Sequence, residues 1–127
     1  MPGKKSKSNN RLGAILMAHG SSEPATAAEA DALRRALSRV GRKCVFTLAW
    51  LNGKPNLNEA VDDLVAQGCE TLHILPLLVF TGKHLRRDIP ALLKKSRDRH
   101  PGLRLVLGPP LAGLAGFSKF LLKEGLS

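Results

Sequence analysis

Two of the four histidines occupy positions from which an imidazole could bind a metal ion or accept a proton. His19 directly follows the apolar run Leu12–Ala18, and His84 lies in a polar loop after the apolar run Thr71–Val79. Neutral imidazole is a good ligand for borderline divalent metals, and its ordinary pKa of about 6.5 suits proton transfer at neutral pH. Either histidine taken alone is also typical of a plain hydrogen-bonded loop residue, so this chemistry depends on the two loops meeting.

The other polar candidates carry less information. His73 lies inside an apolar run and is typical of a satisfied core or edge histidine, and we expect His100, at a helix end, to be solvated near the helix dipole. The segment Gly20-Ser21-Ser22 precedes a helical pattern and is compatible both with an anion cradle of backbone amides and with a serine N-cap. The sequence contains neither a phosphate-binding loop nor the nucleophile elbow of serine hydrolases.

The composition favours a small globular protein with an anionic partner. With 127 residues, 43% of them hydrophobic, the chain is long enough for one domain with a real core. Twenty Lys and Arg against ten Asp and Glu give a net charge of +10, which favours nucleic acid, an acidic membrane surface or a polyanionic small molecule. Aromatic residues make up 4% of the chain, so the bases of a single strand would find few stacking partners. Nucleic acid therefore stays a possible partner that only the charge supports.

The sequence predicts neither a membrane span nor a secretory signal. The longest apolar run, Ile74–Phe80, is far shorter than the ~18–20 residues that cross a bilayer. The basic N-terminus is not followed by a hydrophobic stretch of the kind that ends at a small-residue cleavage site. Cys44 and Cys69 lie in apolar segments without metal-type spacing, so we expect reduced core thiols in a cytoplasmic protein, with a disulfide as the alternative. We expect residues 1–10 to form a disordered basic tail and residues 11–127 to form a single domain.

Hydrophobic periodicity predicts an alternation of strands and helices that would carry the histidines. Apolar runs predict four strands, and amphipathic or capped segments predict four helices. The predicted strands are Leu12–Ala18, Cys44–Trp50, Thr71–Val79 and Leu103–Leu107; the predicted helices run from Glu23 to Val40, from the N-cap Asn56 to Gly68, from Asp88 to Arg99 and from Leu111 to Lys123.

Local signals refine three of these elements. Asn56 followed by Glu59 is close to the capping-box spacing. Pro76 cannot donate a ladder hydrogen bond, so the third strand should end or bulge near it. Asp88 and Pro90 are typical of a first helical turn, where an acid is favourable at the positive end of the dipole.

The alternation predicts an α/β three-layer sandwich on a four-stranded parallel sheet with strand order 2-1-3-4. Ligands of such sheets bind beyond the carboxyl ends of the strands, where the strand order reverses. The loops 18–24 and 80–88 lie at that reversal, so this topology places His19 and His84 at the same edge of adjacent strands.

Three segments resemble a known family when taken together. They are the HGS that ends the first strand, the proline-centred KPNLNEAVDDLVAQG at 54–68, and ILPLLVFTGKHLRRDIP at 74–90. From Leu12 to about Leu111 the chain resembles the class II chelatases, the small sirohydrochlorin cobaltochelatases and ferrochelatases of corrin and sirohaem synthesis, related to the nickel chelatase of methanogens. The third segment is the specific one; HGS alone is a common tripeptide.

The resemblance implies an enzyme, a lyase that inserts a divalent metal (cobalt first, with iron and nickel as alternatives) into the polycarboxylate tetrapyrrole sirohydrochlorin. It implies His19 as catalytic proton acceptor and metal ligand and His84 as the second metal ligand. It also implies that Lys54, Val79, Phe80, Thr81, Gly82 and Lys83, together with His84, line the macrocycle. The metal would be a substrate, and no permanently bound cofactor is implied.

Two positions depart from the family pattern. Family members commonly carry a glutamate four residues before the proline of the second segment and an acid directly before it, where this chain has Leu51 and Lys54. Lost carboxylates could reduce or redirect activity, whereas Lys54, Lys83, Arg86 and Arg87 could offer counter-charges to an acidic substrate. The alternatives are therefore a non-catalytic tetrapyrrole or metal carrier with the same fold, or a basic nucleic-acid-binding domain.

The short chain also implies a second copy. Larger chelatases have a cleft between two lobes, and this chain has the length of one, so a twofold homodimer would restore the cleft. The predicted C-terminal helix Leu111–Lys123 has apolar residues on most sides, which is compatible with either a dimer interface or core packing.

Overall fold

A computed structural model describes residues 11–20 and 22–127. Four strands alternate with four α-helices, and two short helical turns lie in the connections. The strands are β1 (Arg11–Ala18), β2 (Cys44–Trp50), β3 (Cys69–Pro76) and β4 (Arg104–Leu107), and the helices are α1 (Pro24–Val40), α2 (Leu57–Ala66), α3 (Ile89–Arg99) and α4 (Phe117–Gly125). The basic segment 1–10, with its predicted disorder, lies outside the described residues.

The sheet has the predicted topology. All neighbouring strands are parallel, in the order β2-β1-β3-β4. Ala18 is opposite Trp50, and Met17 is opposite Pro76, so three strands reach the same edge within about one residue. β3 ends at Pro76, as expected from the missing N–H of proline.

The main core lies between the sheet and helices α2 and α3. Ile15 and Met17 of β1 belong to it, whereas Ala14 and Leu16 are buried outside it, because successive residues of a strand point to opposite faces. The other members share complete or nearly complete burial: Ala49, Leu57, Ala60, Val61, Leu64, Cys69, Leu72, Ile74, Leu85, Ile89, Leu93 and Leu105. Each large aliphatic side chain buried in this way contributes about 1.5–3 kcal/mol.

The ends of α1 and α2 are defined by different local signals. The predicted capping box of α2 is confirmed, because the Asn56 side chain accepts from the Glu59 N–H while the Glu59 carboxylate accepts from the Asn56 N–H, both at 2.9 Å. Gly41 ends α1 as predicted. The serine N-cap for α1 is wrong, because Glu23 holds that position and Pro24 is the first helical residue. The alternative anion cradle includes Ser21, which lies outside the described residues.

The third helical segment begins earlier than predicted. A π-helical turn, His84–Asp88, precedes α3 without a break, and the Ile89 N–H donates to the His84 carbonyl. Asp88 is therefore inside a continuous helical segment and does not occupy its first turn. The prediction that this aspartate stabilises a helix start is wrong, because the chain is already helical at Lys83, before the Asp88–Pro90 signal.

The predicted single helix Leu111–Lys123 is also wrong. A short 3₁₀ turn, Leu111–Gly113, is followed by a break and then by α4. Gly116 lies in the left-handed region at a φ of +89°, which interrupts helical geometry and which glycine adopts without steric strain. None of the residues of α4 is buried, so packing of this helix into the core of its own chain is excluded.

The two thiols are free. Cys69 is buried and Cys44 half-buried, and burial is the main cause that raises the pKa of each thiol. The structure thus agrees with two free thiols, of which Cys69 belongs to the core and Cys44 does not, and not with a disulfide between the two. Among the described residues, no helix is both long and apolar enough to span a bilayer.

Candidate functional site

The carboxyl edge of the sheet forms a small platform of loops. The Leu51 N–H donates to the Ala18 carbonyl at 2.8 Å, and the Asn52 N–H donates to the His19 carbonyl at 2.9 Å. These bonds continue the β1–β2 ladder one step beyond the strands, so the backbone of His19 is held against the loop that follows β2.

Gly20 makes this close approach sterically feasible. Its φ is +116°, and a Cβ at this position would lie 2.8 Å from the Asn52 carbonyl oxygen, which is too close for any side chain. The glycine of the HGS segment therefore lets the loop after β1 pass directly over the loop after β2, next to the exposed ring of His19.

The two candidate histidines meet at this edge, as the topology predicted. The ring centroids of His19 and His84 are 4.9 Å apart, and the ring planes are inclined by 63°. His19 comes from the end of β1, whereas His84 is the first residue of the π-helical turn after β3. The order of strands β1 and β3 thus joins residues that are far apart in sequence.

This spacing suits a single divalent ion. An imidazole nitrogen bonded to such an ion at about 2.1 Å puts the ring centroid roughly 3.2 Å from the ion. Two imidazoles at neighbouring coordination positions then have centroids roughly 4.5–5.2 Å apart, and the observed 4.9 Å falls within that range. Among residues 11–20 and 22–127, no group of three or more His, Cys, Asp or Glu is arranged to hold a metal ion, so the candidate site consists of two imidazoles.

Asp88 contacts the second histidine and was not identified as a site residue from the sequence. Its Oδ2 lies 2.7 Å from Nδ1 of His84, and both side chains are about two-fifths exposed. The spacing of four residues within a helical segment would have indicated this contact. The sequence does not single out this contact, because Asp88 and Pro90 are also typical of the first turn of a helix.

The other residues implied by the family resemblance lie at the same edge. The five residues from Val79 to Lys83 are all exposed and lead directly into His84. Their backbone is anchored at its start, where the Ala112 N–H donates to the Val79 carbonyl at 3.0 Å. Phe80 is 73% exposed, so an aromatic face is available to a flat ligand beside the histidines.

Basic residues surround this segment. Lys83, Arg86 and Arg87 line a depression of about 360 Å³ together with Thr81 and Gly82. The sequence alone left open whether such cations form only a solvated face; their grouping around a concave surface next to His84 favours binding of an anionic group.

The loop after β2 supplies the two residues that depart from the family pattern. Leu51 packs against the core and lines a cleft of about 280 Å³ with His84 and Asp88. Lys54 is exposed, and its Nζ lies 3.3 Å from a carboxylate oxygen of Glu59. Asn52, which the sequence did not single out, lines the clefts beside both residues, and its residue type gave no signal for this role.

His100 is not the solvated terminus that the sequence predicted. Its Nε2 lies 2.7 Å from Oδ1 of Asp62, and Oδ2 of the same carboxylate accepts from Arg99, so this ring joins the end of α3 to α2. The His100 contact, followed by the charge of Arg99, holds the pKa of the Asp62 carboxyl below its usual range. A cavity of about 600 Å³ lies beside His100 and is lined by Cys69 and Glu70 at the start of β3, remote from His19 and His84.

Comparison with known proteins assigns the chain to a family. The CbiX family model matches residues 13–123. A sirohydrochlorin cobaltochelatase of Saccharolobus solfataricus is 35% identical over 119 residues, which cover 89% of this chain and 92% of that protein. A sirohydrochlorin cobaltochelatase of Saccharolobus islandicus strain L.S.2.15 is 34% identical over 119 residues, again covering 89% of this chain and 92% of that protein.

Solved structures share the fold. A structure described as a cobalamin biosynthesis CbiX protein from Marinobacter aquaeolei VT8 superposes with a TM-score of 0.74 at 26% identity, covering 91% of this chain and 94% of that one. SirB from Bacillus subtilis with Fe³⁺ gives a TM-score of 0.78 at 23% identity, covering 89% of this chain and 45% of that one. The chain therefore spans less than half of the SirB chain.

The fold and the site define a small α/β protein of the class II chelatase type, with a histidine pair at the carboxyl edge of a 2-1-3-4 sheet. The chain belongs to the CbiX family.

Proposed function

We propose that this protein inserts a divalent metal, cobalt first, into sirohydrochlorin. The observation that carries the proposal is the pair of imidazoles at 4.9 Å, which come from separate loops of a CbiX-family fold. The names of the Saccharolobus relatives support the substrate. Iron and nickel are the alternative metals, because bis-imidazole sites accept all three.

The chemistry requires two events that these residues can serve. Two pyrrole protons must leave the macrocycle while a hydrated ion loses water, and an imidazole can act as base for the first and as ligand for the second. We assign proton acceptance and metal binding to His19, and metal binding to His84. A site with two protein ligands is incomplete, so it can release its ion to the macrocycle.

The segment Val79–Lys83 would lie along the macrocycle. The exposed ring of Phe80 offers apolar surface to the flat ring system, and the depression lined by Lys83, Arg86 and Arg87 offers cations to peripheral carboxylates. Lys54, on the loop after β2, would offer a further cation to these carboxylates. Its ion pair with Glu59 is solvent-exposed and such pairs are weak, so Lys54 can exchange this partner for a substrate carboxylate.

We propose that the working form is a homodimer in which α4 contacts the second copy. The apolar side chains of α4 are exposed in the single chain, among them Phe120 at 57% and Leu122 at 65%. The chain also matches less than half of the SirB chain, which is consistent with one lobe of a larger cleft.

Light scattering tests the dimer with the pair Leu122→Asp and Lys43→Asp. We expect the Lys43→Asp control, which places the same side chain on an exposed turn outside α4, to remain dimeric, and the Leu122→Asp variant to be monomeric and slow in metal insertion. A wild-type protein that is monomeric while it inserts metal at its full rate would exclude the dimer.

Metal insertion is tested by mixing the protein anaerobically with sirohydrochlorin and Co²⁺ and following the absorbance of the macrocycle. We expect many turnovers per protein at a rate above that of the mixture without protein. A carrier, which the substitutions Leu51 and Lys54 would favour, changes the ligand spectrum stoichiometrically and without turnover. Tight DNA binding with a steep salt dependence, and no insertion, would favour a nucleic-acid-binding domain instead.

A further inference from the structure

The aspartate that contacts His84 belongs to the same helical segment as its partner. The π-helical turn His84–Asp88 runs directly into α3, so a rigid stretch of backbone carries both side chains. The separation of 2.7 Å between Nδ1 of His84 and Oδ2 of Asp88 is that of a strong hydrogen bond.

The direction of this hydrogen bond follows from the two groups. An ionised carboxylate only accepts, so when the imidazole is neutral the shared proton belongs to Nδ1 of His84. Nε2 then carries the lone pair. A histidine without this partner is free to place its proton on Nε2, which would block that nitrogen as a ligand.

We propose that Asp88 is a positioning residue that fixes His84 in the Nδ1–H form and fixes its ring orientation, so that Nε2 binds the metal. The tautomer of His84 follows from its contact with Asp88 alone and does not depend on the function of the protein. The consequence for metal binding rests on the function proposed above. Carboxylates that hold a metal-binding histidine in this way raise metal affinity or activity by about 10- to 100-fold.

The first test measures the tautomer without any metal. The ¹⁵N chemical shifts of the His84 ring, recorded at a pH where imidazole is neutral, distinguish Nδ1–H from Nε2–H. We expect Nδ1–H in the wild-type protein and a shift towards Nε2–H in Asp88→Ala. The control Asp98→Ala removes an aspartate near the other end of the same helical segment, paired with Lys94 at 3.5 Å, and should leave the His84 signals unchanged.

The second test measures metal insertion against the concentrations of Co²⁺ and sirohydrochlorin. For Asp88→Ala we expect the Co²⁺ concentration at half-maximal rate to rise about 10- to 100-fold, with the KM for sirohydrochlorin unchanged. Asp88→Glu, which keeps an acceptor at this position, should recover part of the loss, and Asp98→Ala should behave as the wild type.

Each result decides a separate point. A wild-type His84 in the Nε2–H form, or an unchanged tautomer in Asp88→Ala, overturns the positioning role whatever the enzyme activity. A tautomer shift with an unaltered Co²⁺ dependence overturns its consequence for metal binding. If the wild-type protein inserts no metal although the tautomer responds as expected, the proposed function fails while the tautomer assignment stands.

Discussion

Two histidine–aspartate pairs lie at opposite ends of α3 and differ in what they connect. His84 and Asp88 are four residues apart in one helical segment, whereas His100 at the end of α3 reaches Asp62 on α2; both separations are 2.7 Å. The same two residue types thus form a local contact within one helical segment and a tertiary contact between two helices.

The surroundings of the two pairs decide their roles. At the end of α3, Asp62 accepts from Arg99 as well as from His100, so its carboxylate is engaged by side chains of the neighbouring segment. At the start of the segment, the ring of His84 lies against the imidazole of His19 and also lines a solvent-accessible cleft. A histidine–aspartate pair alone therefore does not indicate a metal site. The His84 pair is the candidate because His19 lies against it, whereas no second histidine contact is seen at His100 among the described residues.

Removing each histidine in turn is the most direct test of the difference between the two pairs. For His84→Ala we expect metal insertion to fall by about 10²-fold or more, because the site loses a ligand, while the free energy of unfolding stays within about 0.5 kcal/mol of the wild type. For His100→Ala we expect the opposite: insertion is retained, and stability falls by about 1 kcal/mol because α2 and α3 lose a contact.

Initial insertion rates and urea unfolding, measured on both variants under the same conditions, test whether one variant loses activity and the other loses stability. Loss of insertion in a fully stable His100→Ala protein would move the functional centre to the other end of the sheet, beside the larger cavity.

The second prediction concerns stability and pH. Asp62→Asn should lower the free energy of unfolding by about 1.5 kcal/mol at neutral pH, a modest value because the pair is partly exposed and screened. The pKa of Asp62 is lowered in the folded protein, so its contribution is present above the ordinary carboxyl pKa and is lost as the pH falls through the folded-state value.

In urea unfolding at pH values from neutral down to about 3, the free energies of unfolding of the wild type and of Asp62→Asn should therefore differ at neutral pH and become equal in acid. A stability difference that did not depend on pH would exclude the ionised carboxylate as its source. Metal insertion at neutral pH should be unchanged, since Asp62 is remote from the histidine pair.

The contrast also shows what the sequence could predict. The alternation of apolar strands with helices predicts a doubly wound parallel sheet, and its strand order 2-1-3-4 places His19 and His84 at one edge. The capping box at Asn56 was predictable because its residues are three apart and its hydrogen bonds are local.

Contacts that depend on tertiary geometry or on exact helix limits were not predictable in the same way. The Asp62 contact of His100 crosses between two helices, so no sequence spacing reports it. Asp88 and Pro90 are typical of a helix start, whereas the helical turn that begins at His84 lacks a capping hydrogen bond, so the sequence predicts the start of this helix too late. The break before α4 depends on Gly116 adopting a left-handed conformation.

The smallest expected effect concerns Leu51, which lines the cleft beside His84 and Asp88 but not the cavity beside His100. Leu51→Glu places a carboxylate beside His84 and Asp88 and should lower the Co²⁺ concentration at half-maximal insertion by roughly fivefold, the effect of one added charge at a solvent-facing site. Leu51→Gln is the matched control, since it has nearly the same shape and loses the same packing against the core without adding charge. Insertion assays over a range of Co²⁺ and of ionic strength should show the gain only for the glutamate and show it shrinking as salt screens the added charge. An equal gain in both variants would mean that loosening the loop, and not the restored carboxylate, changes the reaction.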